Sequence, residues 1–264
     1  MRGQLLAYAK VPTTPPGGIE MKQNKYDDDN FFGAYSRMHR SIYGLKAAGE
    51  WHELEKLLPD FNGKRVLDIG CGYGWHCVYA AQQGASYVLG TDISEKMLEV
   101  AREKNTSPNI EYQKLAMEDI DFADDSFDVV ISSLALHYTP DYANVCHRVY
   151  KSLASGGSFV FSAEHPIFTA HGSQDWVYGE DGSICHWPVD KYFESGRRET
   201  NFLGADVVKY HRTITDYVKG LTEAGFVLTD IVEPMPTEEV LNDDPDMRDE
   251  LRRPMMILMA GRKA

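Results

Sequence analysis

The feature that most constrains the fold is an apolar run ending in a glycine-rich turn, residues 66–74, VLDIGCGYG. The apolar residues predict a buried strand, and a helical pattern follows the turn. Glycines at alternate positions let the backbone approach a ligand closely, and the next helix offers unpaired N–H groups at its first turn. The run therefore predicts a strand–turn–helix site for a polar or anionic, nucleotide-like ligand.

A second apolar strand pattern, residues 87–93, contains an acid near its end, Asp92. A carboxylate at this place in a βαβ unit can accept hydrogen bonds from both hydroxyls of a ribose. Because Ser94 is a good N-cap residue, a purely structural role for Asp92 at the helix entry is the alternative. The glycine spacing disfavours NAD, since a dinucleotide fingerprint would need its third glycine where Trp75 stands.

The chain resembles the class I S-adenosylmethionine-dependent methyltransferases in the order and spacing of four segments: residues 66–74, 90–94 (GTDIS), 116–119 (AMED) and 127–133 (FDVVISS). The resemblance is specific between residues 63 and 157. It implies S-adenosylmethionine as cofactor and S-adenosylhomocysteine as product. The cofactor-binding residues that it implies are Asp68, Gly70, Cys71, Gly72, Gly74, Asp92, Ile93, Met97, Met117, Glu118 and Ser132.

The resemblance also implies a role for each of these residues. Asp68 and the glycine turn would hold the methionine part, Asp92 the ribose hydroxyls, and Ser132 would lie under the sulfonium. Ile93 and Met97 would flank the adenine, and Met117 and Glu118 would border its edge. The alternatives are structural, because a strand carboxylate can cap a turn, and methionine or cysteine can pack in a core.

Strand patterns near residues 65–70, 87–93, 110–114, 127–133 and 158–163 alternate with helical patterns at 95–104 and 142–153. This alternation predicts a parallel sheet with helices on both faces. We expect further helices at residues 41–58, 214–224 and 247–252, and the last two strands at 226–232 and 255–260. With the resemblance, the expected fold class is α/β, a Rossmann-like doubly wound seven-stranded sheet, mostly parallel with a terminal antiparallel strand, plus a cap insertion.

The Pro- and Gly-rich residues 1–20 predict a flexible tail, with Met21 as an alternative start. We expect residues 21–264 to form one methyltransferase domain. Its predicted parts are an N-terminal lid with helices (21–60), a cofactor-binding core (61–163), a cap insertion (164–211), and a C-terminal helix and strands (212–264).

Composition limits the partners. The formal net charge of −13 over 264 residues argues against a broad nucleic-acid surface, which needs Lys and Arg, and favours a small-molecule acceptor. The chain shows neither an apolar run of about 20 residues nor a secretory signal, which predicts a cytoplasmic protein without membrane contact. We expect a monomer or homodimer. Four cysteines without C-x-x-C spacing predict reduced thiols and no metal.

Three histidines lie where a general base would be needed, His137 and His165 after predicted strands and His211 at the end of the cap insertion. Ligands of open α/β sheets bind beyond the carboxyl ends of the strands, and a neutral imidazole can take a proton from an attacking hydroxyl or amine. The alternative is that each histidine only satisfies local hydrogen bonds.

The cap insertion is long and aromatic, which is typical of a lid or binding loop. A hairpin is predicted at residues 192–202 and 205–210, and a satellite core or dimer contact is the alternative. The residues expected to face the substrate or form the lid are Tyr26, Tyr35, Phe168, Trp176, Tyr192 and Tyr210.

The predicted reaction is transfer of a methyl group to oxygen, nitrogen or carbon of a small molecule by in-line displacement, with positioning as the main source of catalysis. RNA or protein methylation is one alternative. A non-catalytic regulator that binds the cofactor is the other.

Overall fold

A computed structural model describes residues 22–264 with the exception of residue 244. The predicted tail and the alternative start at Met21 lie outside the described residues. In chain order the strands are β1 (Arg65–Ile69), β2 (Tyr87–Asp92), β3 (Ile110–Lys114), β4 (Phe127–Ser133), β5 (Leu153–Glu164), β6 (Val177–Tyr178), β7 (Ile184–His186), β8 (Gly196–Phe202), β9 (Ala205–His211), β10 (Val227–Val232) and β11 (Met256–Arg262).

Seven of these strands form one sheet in the order β10-β11-β5-β4-β1-β2-β3. All neighbours pair in parallel except β11, which runs antiparallel to both β5 and β10. The predicted α/β fold class is therefore confirmed. The parallel register brings the carboxyl ends of β1, β2 and β4 to one edge of the sheet, and ligands of such sheets bind beyond that edge.

The helices are α1 (Asp29–Tyr35), α2 (His39–Tyr43), α3 (Trp51–Leu57), α4 (Trp75–Gln82), α5 (Glu95–Lys104), α6 (Tyr142–Ser152), α7 (Pro166–Thr169), α8 (Ile214–Ala224) and α9 (Glu238–Asp243). Short 3₁₀ helices occur at Lys25–Asp27, Gly44–Ala47, Met117–Asp119, Leu136–Tyr138 and Pro245–Arg252. Side chains cap several N-termini: Ser94 accepts from the Met97 amide, and Thr213 forms a capping box with Asp216. No helix in the described part is both long and apolar enough to cross a bilayer.

Helices cover both faces of the sheet, and each face has its own core. On one face Phe159 and Phe161 of β5 pack with Tyr217 and Leu221 of α8 and with α6. On the other face the core contains Val66, Val88, Val129, Cys77 and Leu98. Full burial of side chains of this size stabilises the fold by about 1.5–3 kcal/mol each relative to exposure, so the sheet is a rigid base for the residues at its carboxyl edge.

The predicted single helix over residues 41–58 is wrong, because α2 ends at Tyr43 and α3 begins only at Trp51. Gly44 has φ +66, and a Cβ at this position would lie 2.8 Å from the indole of Trp75. The chain therefore leaves the helical conformation where the indole of α4 approaches its backbone. The break turns residues between α2 and α3 toward the carboxyl edge of the sheet.

The predicted hairpin in the cap insertion is present as β8 and β9. Its two loop residues, Leu203 and Gly204, have φ +55 and +78. Positive φ at both central positions is the geometry of a type I′ turn, which matches the twist of the paired strands. Strand β8 starts at Gly196, so residues 192–195 lie before the hairpin rather than in it.

Candidate active site

A cavity of about 1730 Å³ lies beyond the carboxyl edge of the sheet. Its wall is built from the ends of β1, β2, β4 and β5, the N-terminal segment, the β8–β9 hairpin and the chain between β10 and β11. The predicted cofactor residues on this wall are Gly70, Gly72, Asp92, Ile93, Met97, Met117 and Glu118.

The glycines of the turn after β1 have different surroundings. All three have positive φ, +70 for Gly70, +54 for Gly72 and +77 for Gly74. A Cβ at Gly72 would meet no atom within 4 Å, whereas one at Gly74 would lie 2.8 Å from Cζ of Tyr112. Gly72 therefore opens to the cavity, and Gly74 lies off its wall because Tyr112 packs against it. Cys71 is also off the wall, in the core with Cys77.

Asp92 connects the glycine turn to the start of α5. Its Oδ2 accepts a hydrogen bond from the Gly72 amide at 2.9 Å, and its Oδ1 accepts one from the Ser94 amide at 2.8 Å. Burial raises the pKa of this carboxyl to about 6. Asp92 thus has the structural role at the helix entry, and its side chain also faces the cavity.

Asp68 and Ser132 do not reach the cavity wall. Asp68 is 1% exposed and accepts from the Cys77 thiol at 3.3 Å, while its Oδ1 has no hydrogen-bond partner among the described residues. Burial raises the pKa of Asp68 to about 7. Ser132 donates to the carbonyl of Ile69 at 2.9 Å, and its neighbour Ser133 faces the cavity instead. Consecutive strand residues point to opposite faces, which explains why Ser133 and not Ser132 lines the cavity; the role expected for Ser132 stays a prediction.

The N-terminal segment crosses the cavity and contacts both of its sides. The Asn24 side chain donates to the carbonyl of Ile93 at 3.3 Å, and the Gln23 side chain bonds both the N–H and the C=O of Val208 on β9. Tyr26 and Tyr35 line the cavity, and the Tyr26 hydroxyl lies 3.1 Å from that of Tyr138; their role as lid residues stays a prediction.

Arg40 and Glu50 form a buried ion pair on the cavity wall that the sequence analysis missed. Glu50 Oε1 accepts from Arg40 Nη2 at 3.3 Å and from the Ser133 hydroxyl at 3.1 Å. Burial alone would raise the pKa of Glu50, but the Arg40 guanidinium and hydrogen bonds from the backbone and Ser133 together hold this pKa below its ordinary value. The pair places the Arg40 guanidinium on the cavity wall, with Glu50 bonded to Ser133 at the end of β4.

A second buried polar group occupies the cavity end that lies under the cap. Lys209 of β9 forms an ion pair with Glu164, the last residue of β5, and donates to Gln174 Oε1 at 2.8 Å. His137 is the one predicted catalytic histidine on the cavity wall, with Nδ1 accepting from the Glu164 amide at 3.4 Å. Burial lowers the pKa of His137 to about 4, so the ring is neutral near pH 7.

The other two predicted catalytic histidines lie off the cavity wall, in local hydrogen-bond networks. His211 Nδ1 lies 2.7 Å from the Thr169 hydroxyl and its Nε2 lies 2.9 Å from the Tyr192 carbonyl. His165 caps α7 through Nδ1, and its Nε2 lies 2.8 Å from Glu233. Both ring nitrogens of His211 and Nδ1 of His165 are thus engaged locally, whereas Nε2 of His165 has a charge contact but no hydrogen bond of good geometry among the described residues.

The predicted cap aromatics also fall into two groups, those that line the cavity and those that do not. Phe168 and Tyr210 line the cavity, whereas Trp176 and Tyr192 do not. Trp176 packs edge-on against Trp187, with the Arg253 guanidinium 5.1 Å from its ring centroid. Tyr192 packs against His211. Trp176 and Tyr192 therefore lie off the cavity wall in separate aromatic contacts, and their expected role at the substrate stays a prediction.

Two signals pointed to the residues that were missed. Glu164 directly follows a predicted strand, a position where the fold class places ligand contacts. Lys209 lies on the inward face of the β9 alternation together with the buried Val207 and His211. A lysine on a buried strand face needs a partner, because an unpaired buried charge is costly.

Comparisons with known proteins agree with this geometry. Residues 67–161 match the family model described as a methyltransferase domain. The fold is similar to a Listeria monocytogenes protein assigned as an S-adenosylmethionine-dependent methyltransferase, with 56% identity, TM-score 0.80, and 84% of this chain and 99% of that chain covered. It is also similar to an S-adenosylmethionine-dependent methyltransferase from Mesorhizobium loti, with 41% identity, TM-score 0.78, and 83% and 100% covered.

A third relative is the ubiquinone biosynthesis O-methyltransferase of Neisseria meningitidis, which is 32% identical over 187 residues, covering 59% of this chain and 78% of the relative. The family match, the two similar structures and the seven-stranded sheet agree with the resemblance read from the sequence. The chain belongs to the class I S-adenosylmethionine-dependent methyltransferases.

Proposed function

We propose that this methyltransferase acts on a small organic acceptor, at oxygen, nitrogen or carbon. The observation that carries the proposal is that one continuous cavity joins the predicted cofactor residues to the polar and aromatic residues under the cap. Its volume of about 1730 Å³ exceeds the roughly 300–1,000 Å³ of an ordinary small-ligand pocket. A cofactor and a second small molecule therefore fit side by side.

Asp92 and its neighbours would hold the adenosine end of the cofactor. An ionised carboxylate has about four acceptor positions, and the Gly72 and Ser94 amides occupy two of them. The other two are available to a pair of ribose hydroxyls. Ile93, Met97, Met117 and Glu118 line the same part of the cavity and would surround the adenine.

Arg40 would bind the carboxylate at the amino-acid end of the cofactor. Its one recorded hydrogen bond among the described residues goes to Glu50, and its side chain remains 23% exposed on the cavity wall. A guanidinium suits a carboxylate because its N–H groups form a planar fork. Glu50 holds this fork beside Ser133, near the turn where the glycines approach the ligand.

The bound cofactor supplies a methyl group on a positively charged sulfonium, so the leaving group is already activated. The protein's task is then to align the acceptor's lone pair with the methyl carbon and to exclude water, which can supply most of the rate enhancement. None of the three histidines offers an unengaged basic nitrogen to the cavity in the described structure. The main contribution of the residues that line the cavity is therefore to position the acceptor and the cofactor.

Two further observations support a small acceptor. The β8–β9 hairpin and the N-terminal segment both line the cavity and are joined by the hydrogen bonds of Gln23 to Val208, an arrangement that suits a small acceptor better than a folded macromolecule. The Neisseria meningitidis relative is named as an O-methyltransferase of ubiquinone biosynthesis, and a quinone is a small molecule.

The test is a methylation screen with labelled S-adenosylmethionine. The purified protein is incubated separately with a library of phenols, catechols, amines and quinols, with total RNA, and with a protein extract, and methylated products are identified by mass spectrometry. Methylation confined to members of the library supports the proposal. Label in RNA or protein alone would refute it, and cofactor binding without label in any fraction would favour the non-catalytic regulator.

A further inference from the structure

We propose that Glu164, held by Lys209 and Gln174, anchors the methyl acceptor and selects molecules that present a hydroxyl or amine hydrogen-bond donor over carboxylates and phosphates. This inference rests on the proposed function and names the chemical group that the acceptor must present. Glu164 ends β5, Gln174 lies between α7 and β6, and Lys209 lies on β9, so the three residues meet only in the folded chain.

The cluster lies at the carboxyl edge of the sheet. Glu164 ends β5, which pairs with β4, and Ser133 at the end of β4 faces the same cavity. His137, from the turn after β4, has its Nε2 4.0 Å from Glu164 Oε1. The carboxylate is therefore close to the strand ends on which the fold binds its ligands.

The ammonium of Lys209 is already engaged inside the cluster. It contacts Glu164 Oε1, donates to Gln174 Oε1 at 2.8 Å and lies 4.9 Å from the ring centroid of Phe202. Its side chain is 3% exposed, whereas that of Glu164 is 14% exposed. Both side chains line the cavity, and the carboxylate has the larger exposed fraction.

Glu164 has acceptor capacity left after these contacts. Its oxygens accept from Lys209 and from Gln174 Nε2, while an ionised carboxylate has about four acceptor positions. Burial alone would raise the pKa of Glu164, but the contacts with His137 and Lys209 and the hydrogen bonds from Lys209 and Gln174 together hold it below its ordinary value, so the group stays ionised.

A ligand at this place meets the Glu164 carboxylate, whose charge Lys209 already balances. An O–H or N–H group satisfies the remaining lone pairs, and charge-assisted hydrogen bonds of this kind are about twice as strong as neutral ones. A ligand carboxylate or phosphate has no hydrogen to donate to these lone pairs, and the Lys209 ammonium is already engaged with Glu164 and Gln174. His137 stiffens the arrangement, because its Nδ1 accepts from the Glu164 amide and its proton is then on Nε2, beside the carboxylate.

The test uses three ring probes of similar size: catechol, aniline and benzoate. The protein is first titrated calorimetrically with S-adenosylhomocysteine, and the saturated complex is then titrated with each probe. We expect catechol and aniline to bind with dissociation constants of about 1 mM, near −4.1 kcal/mol and within the limit for fragments of this size. We expect no binding of benzoate up to about 10 mM.

The matched variants are the double substitution Glu164→Gln with Lys209→Gln, and Glu223→Gln on the exposed side of α8 as control. The double variant removes both charges together, which avoids leaving one of them buried and unpaired. We expect it to weaken catechol binding at least about tenfold while S-adenosylhomocysteine affinity stays unchanged. The control variant should bind every ligand as the unmodified protein does.

Failure of the first titration would reject the proposed function itself. If S-adenosylhomocysteine binds, the inference is overturned by tight benzoate binding, by equal behaviour of the double variant and the control, or by absence of binding for both catechol and aniline.

Discussion

Gly72 and Gly74 give a matched pair of substitutions whose effects should separate binding from stability. Both residues have positive φ, so alanine at either position costs about 1–2 kcal/mol of backbone strain. At Gly72 the new methyl group meets open space in the cavity. At Gly74 it would lie 2.8 Å from Cζ of Tyr112, and overpacking of this kind adds about 1–3 kcal/mol.

The expected loss in unfolding free energy is therefore about 1–2 kcal/mol for Gly72→Ala and about 2–5 kcal/mol for Gly74→Ala. For a chain of this size 1 kcal/mol shifts Tm by about 2–4 °C, which gives decreases of about 2–8 °C and about 4–20 °C. Gly72→Ala should nevertheless have the larger effect on binding. Its methyl group enters the cavity next to Asp92, so S-adenosylhomocysteine affinity should fall at least about tenfold.

Both quantities are measured on the same preparations, Tm by differential scanning calorimetry and affinity by isothermal titration at 20 °C. Gly74→Ala should show the larger loss of Tm, and Gly72→Ala the larger loss of S-adenosylhomocysteine affinity. Equal Tm losses for the two variants, or unchanged affinity of Gly72→Ala, would contradict the surroundings described for these glycines.

Three further predictions concern other residues on and near the cavity. Asp92→Ala should weaken S-adenosylhomocysteine binding at least about tenfold, since charge-assisted hydrogen bonds contribute about 1.5–3 kcal/mol; unchanged affinity in calorimetry would reject the ribose assignment. His165→Ala and His211→Ala should each lower Tm without changing cofactor affinity, because both rings bond local groups off the cavity wall; an unchanged Tm would contradict this. The pKa of His137 is about 4 in the folded protein and near 6.5 in the unfolded chain, so the unfolded chain binds the proton more readily. The stability that the neutral ring contributes is therefore complete above pH 6.5 and is lost as the pH falls toward 4. His137→Gln should therefore flatten the fall in unfolding free energy between pH 6.5 and 4, by up to about 1.4 kcal/mol per pH unit, in denaturant titrations; an identical pH profile would refute it.

The sheet and the glycine turn were predictable because their signals are local. Residues 66–74 specify a strand and a tight turn within nine positions, and Asp92 repeats the pattern one unit later. The hairpin of the cap was predictable for the same reason, from alternation on both sides of Leu203 and Gly204. In these cases residues that are close in the sequence already determine the local backbone structure.

The acceptor end could not be predicted because it depends on contacts between distant parts of the chain. Lys209 meets Glu164 across 45 positions, and Ser133 meets Glu50 across 83. The break at Gly44 likewise depends on Trp75, which only the folded chain brings next to it. Periodicity describes the face of an element, but it does not describe which side chain from another element arrives there.

The contact between Gln23 and Val208 also bears on self-association. A carboxamide has the same donor and acceptor pair as a peptide group, and Gln23 uses both to bond the N–H and C=O of Val208 at 2.7 and 3.1 Å. Strand β9 is paired with β8 along one side, so its other side would offer these groups to a strand of a second molecule. The Gln23 side chain therefore occupies the backbone N–H and C=O groups with which a strand of a second molecule would pair.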